Sequence, residues 1–372
     1  MREQILRPTS GTRARFGATL AAHGDDLLVG ATARDHSDGQ PGAALFTRGG
    51  DGFRHLVDLR PALVVDDFAR ALALDAQRLA VSAAGHENGD QAVHVWQRRG
   101  EGVVGPVLID SPERRKPYDD VFCEYGVALA LDGADVLVGA NLGDAEAEQS
   151  GAVHVMRTTP NIHERQRLAP GPRSSSGTSF GDSLALAGSI LAVGAPTASH
   201  PVKHAGAVHI FQRSPDGRFS FVSVLSASAA ESSDELGGTL AFDGQLLCVG
   251  APRAKASTGR VEIFRRVDAG FGHLCTLHPP VAYEIGLFGH GLAFDGRRLA
   301  VGEPGGPGRR GRVHLYSLAG AGFALEETWM PADATDGDWF GSAVALGSGL
   351  VHAGAPGFTG SLDQARVISR SC

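Results

Sequence analysis

The 372-residue chain carries a formal net charge of -7, and its pI lies near 6.1. Nucleic-acid binding needs a basic face, so this balance predicts no nucleic-acid partner. The cysteines show no CxxC pair or matched spacing, which predicts no disulfide framework; they are Cys123, Cys248, Cys275 and Cys372. No run of 18 apolar residues occurs, and the first eight residues lack the apolar core of a signal peptide. We therefore expect no membrane insertion, and a cytoplasmic location if Met1 is native.

The chain is organised as a repeat of about 50 residues. Each unit opens with an anchor residue, and the seven anchors are Phe16, Phe68, Tyr125, Phe180, Leu236, Phe288 and Phe340. Apolar residues stand 4 and 11 positions after every anchor, and a small residue stands 14 positions after it. A unit of this size cannot bury both faces of its strands alone, so the units must pack on one another. Residues 1–372 are therefore expected to form a single domain.

Each unit contains four predicted strands, marked by alternating apolar residues and by turn residues. In the sixth unit, strand one is FGHGLAF (288–294) and strand two reads RRLAVGEP, while strands three and four are RVHLYSL (312–318) and FALEETW (323–329). A short turn joins strands one and two in every unit. Asp-Gly pairs at 132–133, 243–244 and 295–296 are typical of such hairpins. Strand four has the least regular pattern.

The two ends of the chain complement each other. The last unit stops after its third strand at Arg370, whereas residues 3–8 (EQILRP) resemble the strand-four segment 164–170 (ERQRLAP). The N-terminal segment is expected to pair with the last unit, which would remove the open edge of a linear array. The predicted fold class is therefore all-β: a seven-bladed β-propeller with four antiparallel strands per blade around a central channel, closed by the N-terminal strand.

Phe-Gly followed fourteen residues later by Gly-Ala-Pro is intact in two units, those of Phe180 and Phe340. This motif, spread over residues 1–370, resembles the FG-GAP repeats of the integrin α-subunit propeller and, more closely, short-turn bacterial FG-GAP repeats. The resemblance implies adhesion or protein interaction, often outside the cell or at its surface. The second unit departs from the motif, because Ala69 follows Phe68 and Ser82-Ala83-Ala84 replaces Gly-Ala-Pro. We expect this departure to affect one blade only.

No metal or cofactor is expected. The integrin-type calcium loop lies between strands one and two, and the two- or three-residue turns found here supply too few oxygen ligands. One equivalent position on strand three carries His94, His154, His209 and His314. Separate blades hold such positions apart, so we interpret these rings as structural, packed between sheets with one nitrogen hydrogen-bonded. His200 and His204 form an H-x3-H pair without further visible ligands.

Acidic loops precede strand one in several units, and they are the one feature that favours an enzyme. A hydrolase or lyase would use them at the channel mouth, with Asp336 and Asp338 as candidates. They recur from unit to unit, however, which is typical of turn-forming side chains that accept hydrogen bonds from their own backbone. No nucleophile motif or phosphate loop can be placed. We therefore predict no enzymatic activity and no catalytic residues.

The connections of variable length, from strand two to three and from strand four to the next strand one, should emerge together on one face, which we call the loop face. This arrangement favours a non-enzymatic recognition scaffold that binds a protein, or another polymer, through the loop face. A carbohydrate-binding propeller is the alternative. The predicted ligand-binding residues are Arg34, Asp35, His36, Asp38, His86, Glu87, Asp144, Glu146, His200, Lys203, His204, Arg253, Lys255, Arg309, Arg310, Trp339 and Phe358.

Overall fold

Seven four-stranded antiparallel sheets form the blades of a β-propeller, as the sequence predicts. The computed structural model describes residues 3–8, 15–32, 42–61, 67–84, 91–112, 124–143, 150–171, 177–268, 270–320, 322–357 and 365–371. Within each of blades 1 to 6, consecutive strands lie side by side in chain order, so every pairing is a local hairpin.

The strands of the described residues follow the repeat. In chain order they are β1 (Glu3–Leu6); β2 (Arg15–His23), β3 (Asp26–Thr32), β4 (Gly42–Gly49) and β5 (Gly52–Leu59) in blade 1; β6 (Asp67–Leu74), β7 (Arg78–Ala84), β8 (Gln91–Arg99) and β9 (Gly102–Asp110) in blade 2; β10 (Tyr125–Asp132), β11 (Asp135–Ala140), β12 (Ala152–Arg157) and β13 (His163–Leu168) in blade 3; β14 (Ser183–Ala187), β15 (Ile190–Ala195), β16 (Ala207–Arg213) and β17 (Phe219–Leu225) in blade 4; β18 (Thr239–Phe242), β19 (Leu246–Ala251), β20 (Arg260–Val267) and β21 (Gly270–Leu277) in blade 5; β22 (Gly291–Phe294), β23 (Arg298–Glu303), β24 (Arg312–Ala319) and β25 (Gly322–Trp329) in blade 6; and β26 (Val344–Gly347), β27 (Leu350–Ala355) and β28 (Arg366–Ser371) in blade 7.

The N-terminal strand closes the ring. β1 pairs antiparallel with β28, with Glu3 opposite Arg370 and Leu6 opposite Val367, and so becomes the outer strand of blade 7. The first strands of neighbouring blades contact one another around the whole circle, from β2 through β26 and back to β2. The predicted closure is confirmed, and strand one of each blade lies nearest the axis.

Among the described residues the apolar core consists of seven clusters, each built from two neighbouring blades. Strand two is buried on both faces, and its alternate residues point to opposite junctions. In β15, Leu191 and Val193 join the cluster shared with blade 3, whereas Ile190 and Ala192 join the cluster shared with blade 5. No blade has a core of its own, so each one depends on its neighbours for burial.

The fourteen-residue spacing within each repeat has a backbone explanation. The residue after each anchor adopts a positive φ, between 65° and 95° in the seven blades, which favours glycine. In blades 4 to 7 the N–H of this residue donates to the carbonyl of the glycine that stands 14 positions after the anchor. Gly181 donates to Gly194 in this way over 2.9 Å. The hydrogen bond fixes the register of strand two against the anchor, and with it the fourteen-residue interval.

The same two positions bring neighbouring blades into backbone contact. A Cβ atom on Gly194 would overlap the carbonyl oxygen of Gly237 in the next blade, and the same clash would arise at Gly139, Gly250, Gly302 and Gly354. The junction between blades 7 and 1 follows this rule too, because Gly354 lies against Gly17. At these five junctions, two facing glycines therefore set the distance between blades.

Blade 2 departs from the motif without leaving the fold. Ala69 takes the positive φ of 65° that glycine adopts elsewhere. It packs on Gly30 of blade 1, while Ser82 packs on Gly126 of blade 3. Each junction of blade 2 thus has one Cβ facing one glycine. The departure stays local, as the sequence predicts.

Strand four is irregular because it is bulged. In blades 1 to 6 the pairing of strands three and four shifts register at or beside one equivalent position, for example between Ile210 and Phe211 in blade 4. Bulges bend an outer strand and interrupt its row of free backbone groups, which disfavours edge-to-edge pairing with another sheet.

The likeness between residues 3–8 and 164–170 also has a structural basis. The Gln4 side chain donates to the carbonyl of Phe53 over 2.9 Å and accepts from its N–H over 2.7 Å. Gln166 makes the same pair of hydrogen bonds to Phe219, over 2.7 and 2.8 Å. Each glutamine thus binds the outer strand of the next blade, and Gln4 does so across the closing junction.

Replacement of Gly194 by alanine should destabilise the propeller by about 1–3 kcal/mol, because the new Cβ forces two backbones apart. Gly272→Ala is the matched control, since the nearest atom to its Cβ would lie 4.0 Å away. It should leave the free energy of unfolding nearly unchanged or slightly raised. Urea denaturation of both variants measures the difference, and equal stabilities would refute the role assigned to the junction glycines.

Gln4→Leu should weaken the closing junction by about 1–2 kcal/mol, because both backbone groups of Phe53 lose a partner. Gln166→Leu removes the same contact between blades 3 and 4 and should cost a similar amount. Hydrogen exchange separates the two variants. Only Gln4→Leu should speed exchange of the β28 amides, and an equal effect of both variants would show that Gln4 has no special part in closure.

Candidate functional site

The long connections do emerge on one face. In blade 4, Ala195 at the end of strand two lies opposite Ala207 at the start of strand three, and Leu225 at the end of strand four lies opposite Val208. The connections from strand two to three and from strand four to the next blade therefore leave the sheet at the same end. The same register recurs in blades 5 and 6, so the predicted loop face is confirmed there.

Backbone hydrogen bonds tie the described loops to one another. The N–H of Ser233 donates to the carbonyl of Lys203, that of Leu287 to Ser257, and that of Trp339 to Arg309, over 3.2, 2.9 and 2.9 Å. Each bond joins a two-to-three loop to the connection that leads into the next blade. From blade 4 to blade 7 the loop face is therefore a continuous, hydrogen-bonded surface.

The predicted ligand-binding residues divide into two groups. Nine lie outside the described residues: Arg34, Asp35, His36, Asp38, His86, Glu87, Asp144, Glu146 and Phe358. The other eight lie on the loop face. Trp339 is half-buried, and seven are exposed: His200, Lys203, His204, Arg253, Lys255, Arg309 and Arg310.

Two of the exposed residues, His204 and Arg253, both contact Glu235 at the junction of blades 4 and 5. Arg253 forms an ion pair with Glu235 at 2.9 Å, and the N–H of Glu235 donates to the His204 carbonyl at 3.5 Å. Burial raises the pKa of Glu235, although the Arg253 guanidinium opposes that shift. Lys255 lies beside this pair on a left-handed turn, where Lys255, Ala256 and Ser257 all have positive φ.

A groove of about 570 Å³ opens at the outer rim of blade 6. Three connections, within blade 6 and on either side of it, and the ends of β24 and β25 supply its lining, which consists of Tyr283, Pro307, Gly308, Arg310, Arg312, Thr328, Met330 and Asp336. Arg310 forms an ion pair with Asp336 at 2.7 Å, and both side chains are exposed. Met330 is 51% exposed, and the nearby loop residues Val281 and Ile285 are 54% and 51% exposed. The groove thus combines charge with uncovered apolar surface.

The two aromatic rings of this region each have an arginine over one face. The Arg312 guanidinium lies 4.2 Å from the Tyr283 ring centroid, and the Arg309 guanidinium lies 5.7 Å from that of Trp339. Cation–π contacts of this kind hold an arginine in place while its N–H groups stay available. They also cover ring surface that a sugar platform would use.

Sequence reasoning missed Tyr283, Arg312 and Met330. Arg312 belongs to the basic run 309–312, which reads as a solvated loop end until the fold shows that its side chain turns back toward blade 5. Tyr283 and Met330 come from connections whose length varies between units. The repeat register therefore gives no signal for them.

The acidic loop residues act mainly in turns. Asp234 accepts from the N–H of Glu231 at 2.7 Å, and Asp338 accepts from the N–H of Thr335 at 3.0 Å. Both are buried. The turn-forming interpretation is confirmed at these two positions.

Polar contacts also join neighbouring blades near the start of strand one. Arg70 of blade 2 forms an ion pair with Glu124 at 2.7 Å, and Asn141 donates to Asp182 of blade 4 at 2.7 Å. Burial raises the pKa of Asp182, against the effect of the Asn141 hydrogen bond. These contacts join first strands and loops of neighbouring blades.

The four strand-three histidines are buried and pack on the anchor of their own blade. The ring centroids lie 5.5 Å apart for His94 and Phe68, 5.4 Å for His154 and Tyr125, 5.2 Å for His209 and Phe180, and 5.3 Å for His314 and Phe288. The predicted structural packing is confirmed. Within the described ranges, no group of three or more His, Cys, Asp or Glu side chains is arranged to hold a metal ion.

No protein-family model and no curated protein matches the sequence. Among solved structures, a protein from Lactobacillus plantarum is 15% identical over 89% of each chain, with a TM-score of 0.56. Sqt1 from Chaetomium thermophilum is 16% identical, and the alignment covers 97% of this chain and 88% of that one, with a TM-score of 0.51. At such identities the similarity concerns the fold. In the part of the chain that is described, no helix has the length and apolar character to span a membrane.

Acid should weaken the propeller through its buried histidines. Burial lowers the pKa of His209 from 6.5 to about 4, and it does the same for His94 and His352. The unfolded chain binds protons below about pH 6.5, whereas these folded-state rings stay neutral to about pH 4. The stability they provide is therefore complete above pH 6.5 and is lost as the pH falls toward 4.

His209→Gln should remove the contribution of His209 to the pH dependence of stability, while its side-chain oxygen can still accept from the Gly171 N–H. Between pH 7 and pH 4 the variant should lose roughly 3 kcal/mol less stability than the wild type. His163→Gln, at an exposed position of blade 3, is the control. Urea denaturation at both pH values tests this, and parallel curves for His209→Gln and wild type would contradict it.

Proposed function

We propose that the chain is a non-enzymatic recognition scaffold that binds a protein partner through the loop face. The observation that carries this proposal is the blade 6 groove. It combines an open volume of about 570 Å³ with exposed Met330 and the arginines Arg310 and Arg312. Apolar side chains and arginine are the residue types that supply most binding energy in protein interfaces.

The rigidity of the surrounding loops supports the same function. Inter-loop backbone hydrogen bonds hold Trp339, Leu287 and Ser233 in place. A preformed surface loses little conformational entropy on binding, so more of its contact energy appears as affinity. The propeller thus acts as a frame that presents loops from several blades to one partner.

The repeats themselves we assign to the FG-GAP type. The backbone role found for the Phe-Gly and Gly-Ala-Pro positions supports this assignment, because it explains why both must recur at a fixed interval. An adhesion or protein-interaction role, such as integrin-like propellers have, agrees with the loop-face surface. A glycan-binding propeller is the alternative, and arginines over Tyr283 and Trp339 make it the less favoured one.

Joint replacement of Arg310, Met330 and Asp336 by alanine should abolish capture of the partner without lowering the melting temperature. These three side chains are exposed, and the ion pair that joins Arg310 to Asp336 is exposed as well. A groove of about 500 Å³ on the opposite face provides a matched control, with Arg297, Leu318 and Glu326 as its cation, apolar residue and acid. Replacing those three by alanine should leave capture intact.

Affinity capture from cell extract, followed by chemical cross-linking, identifies the partner and the face that it contacts. Cross-links to the loops of blades 4 to 7 are expected. Cross-links confined to the opposite face, or equal loss of capture in both triple variants, would refute the assignment. Binding to a glycan array without any protein partner would favour the carbohydrate alternative.

A further inference from the structure

Three blades begin strand three with an arginine at one equivalent position. These residues are Arg260 in blade 5, Arg312 in blade 6 and Arg366 in blade 7. Repeats that share a backbone allow a direct comparison of how each guanidinium is used. The comparison separates Arg312 from the other two.

In blades 5 and 7 the arginine donates a terminal N–H to an aspartate of its own blade. Arg260 donates to Asp234 at 2.7 Å, and Arg366 donates to Asp338 at 3.1 Å. Both aspartates stand two residues before the anchor. The side chains of Arg260 and Arg366 are only 2% and 3% exposed, so these two ion pairs are internal parts of the fold.

Blade 6 lacks that carboxylate, because Gly286 stands two residues before its anchor. The nearest replacement is Glu303, whose Oε2 lies 3.8 Å from Arg312 Nε and accepts a hydrogen bond of 2.6 Å from His314 instead. Among the described residues Arg312 therefore has a counter-charge but no hydrogen-bond acceptor. The Nε atoms of all three arginines are buried without a hydrogen bond, so the difference lies in the terminal N–H groups, which donate to an aspartate in Arg260 and Arg366 but not in Arg312. Because the Arg312 side chain is partly exposed, these unused terminal donors are poised for an external acceptor.

The surroundings of Arg312 match a bound segment. Its side chain is 15% exposed and lines the groove, and the Tyr283 ring holds its guanidinium from one side. Met330 and Ile285 offer apolar surface nearby. Asp336 lies at the rim, where it is paired with Arg310, so the one acidic side chain of the groove is already neutralised.

We propose that the blade 6 groove binds an extended segment of the partner in which an Asp or Glu side chain, flanked by apolar residues, pairs with Arg312. The external carboxylate would take the part that Asp234 and Asp338 play in the neighbouring blades. Apolar neighbours in the segment would cover Met330 and Ile285. This assignment rests on the proposed function and specifies the chemistry of the partner.

The test pans a random twelve-residue peptide library, displayed on phage, against the full chain. Peptides with Asp or Glu beside Leu, Ile, Met or Phe should be enriched. The strongest peptide is then synthesised with an amidated C terminus, together with its Asp→Asn or Glu→Gln counterpart. Calorimetry should show that the neutral peptide binds about 10-fold more weakly or worse, as expected for loss of a charged hydrogen-bonded pair.

Variants of the groove assign the effect to Arg312. Arg312→Met should lower the affinity for the acidic peptide by the same factor as the Asp→Asn or Glu→Gln change in the peptide does. The double variant Gly286→Asp with Glu303→Ala gives blade 6 the residues of blades 5 and 7, so it should block binding while Arg312 remains. Asp336→Asn should strengthen binding, because it releases Arg310. Arg297→Met, on the opposite face, should change nothing.

Equal binding of the acidic and neutral peptides, or unchanged binding by both Arg312→Met and the double variant, would overturn the assignment. So would failure of the library to yield any groove-binding peptide. Each of these results leaves the loop-face capture experiment independent, since that experiment uses the natural partner. Displacement of the peptide by polygalacturonate but not by dextran would instead identify an acidic polysaccharide as the ligand, and would overturn the peptide assignment.

Discussion

The contact between a glycine Cα and a backbone carbonyl of the next blade governs this structure. Two sheets approach so closely only where neither carries a Cβ, and Gly194 against Gly237 shows how little room remains. That spacing lets the side chains of strand two reach both junctions, so seven shared clusters replace seven separate cores. The loop face then inherits its geometry from the ring, because each long connection begins and ends on strands whose positions the junctions have set.

A reading of the sequence recovers much of this frame. The interval between Phe180 and Gly194 marks a backbone hydrogen bond, and a bond that must form in every blade leaves a periodic trace. The resemblance between residues 3–8 and 164–170 works the same way, since Gln4 and Gln166 make identical contacts. The groove leaves no such trace. It depends on side chains from three different connections, and their proximity follows from the closed ring rather than from any local pattern.

Blade 5 shows a second kind of feature that the sequence conceals. Its anchor is Leu236 and the strand-three histidine is replaced by Glu262, so the steeply inclined contact between the anchor and histidine rings of blades 2, 3, 4 and 6 is absent. A buried network takes its place, in which Arg260 bridges Asp234 and Glu262 at 2.7 and 3.1 Å. Leu236 at the anchor position or Glu262 at the histidine position, taken alone, reads as an ordinary variation of the repeat. Together they exchange an aromatic contact for a charged one, and an ion pair so deeply buried requires both partners to persist.

The pairing of β1 with β28 bears on how the protein is made. A ribosome synthesises β1 before all the other strands of the ring, so the outermost strand of blade 7 must wait until β28 has been made before it finds its neighbour. Blades can form hairpins one by one as they emerge, because those contacts are local. The pairing of β1 with β28 is the exception, because it joins distant parts of the chain and therefore costs more loop-closure entropy. Until then the nascent chain exposes an unsealed flank, at which chaperones would be most useful.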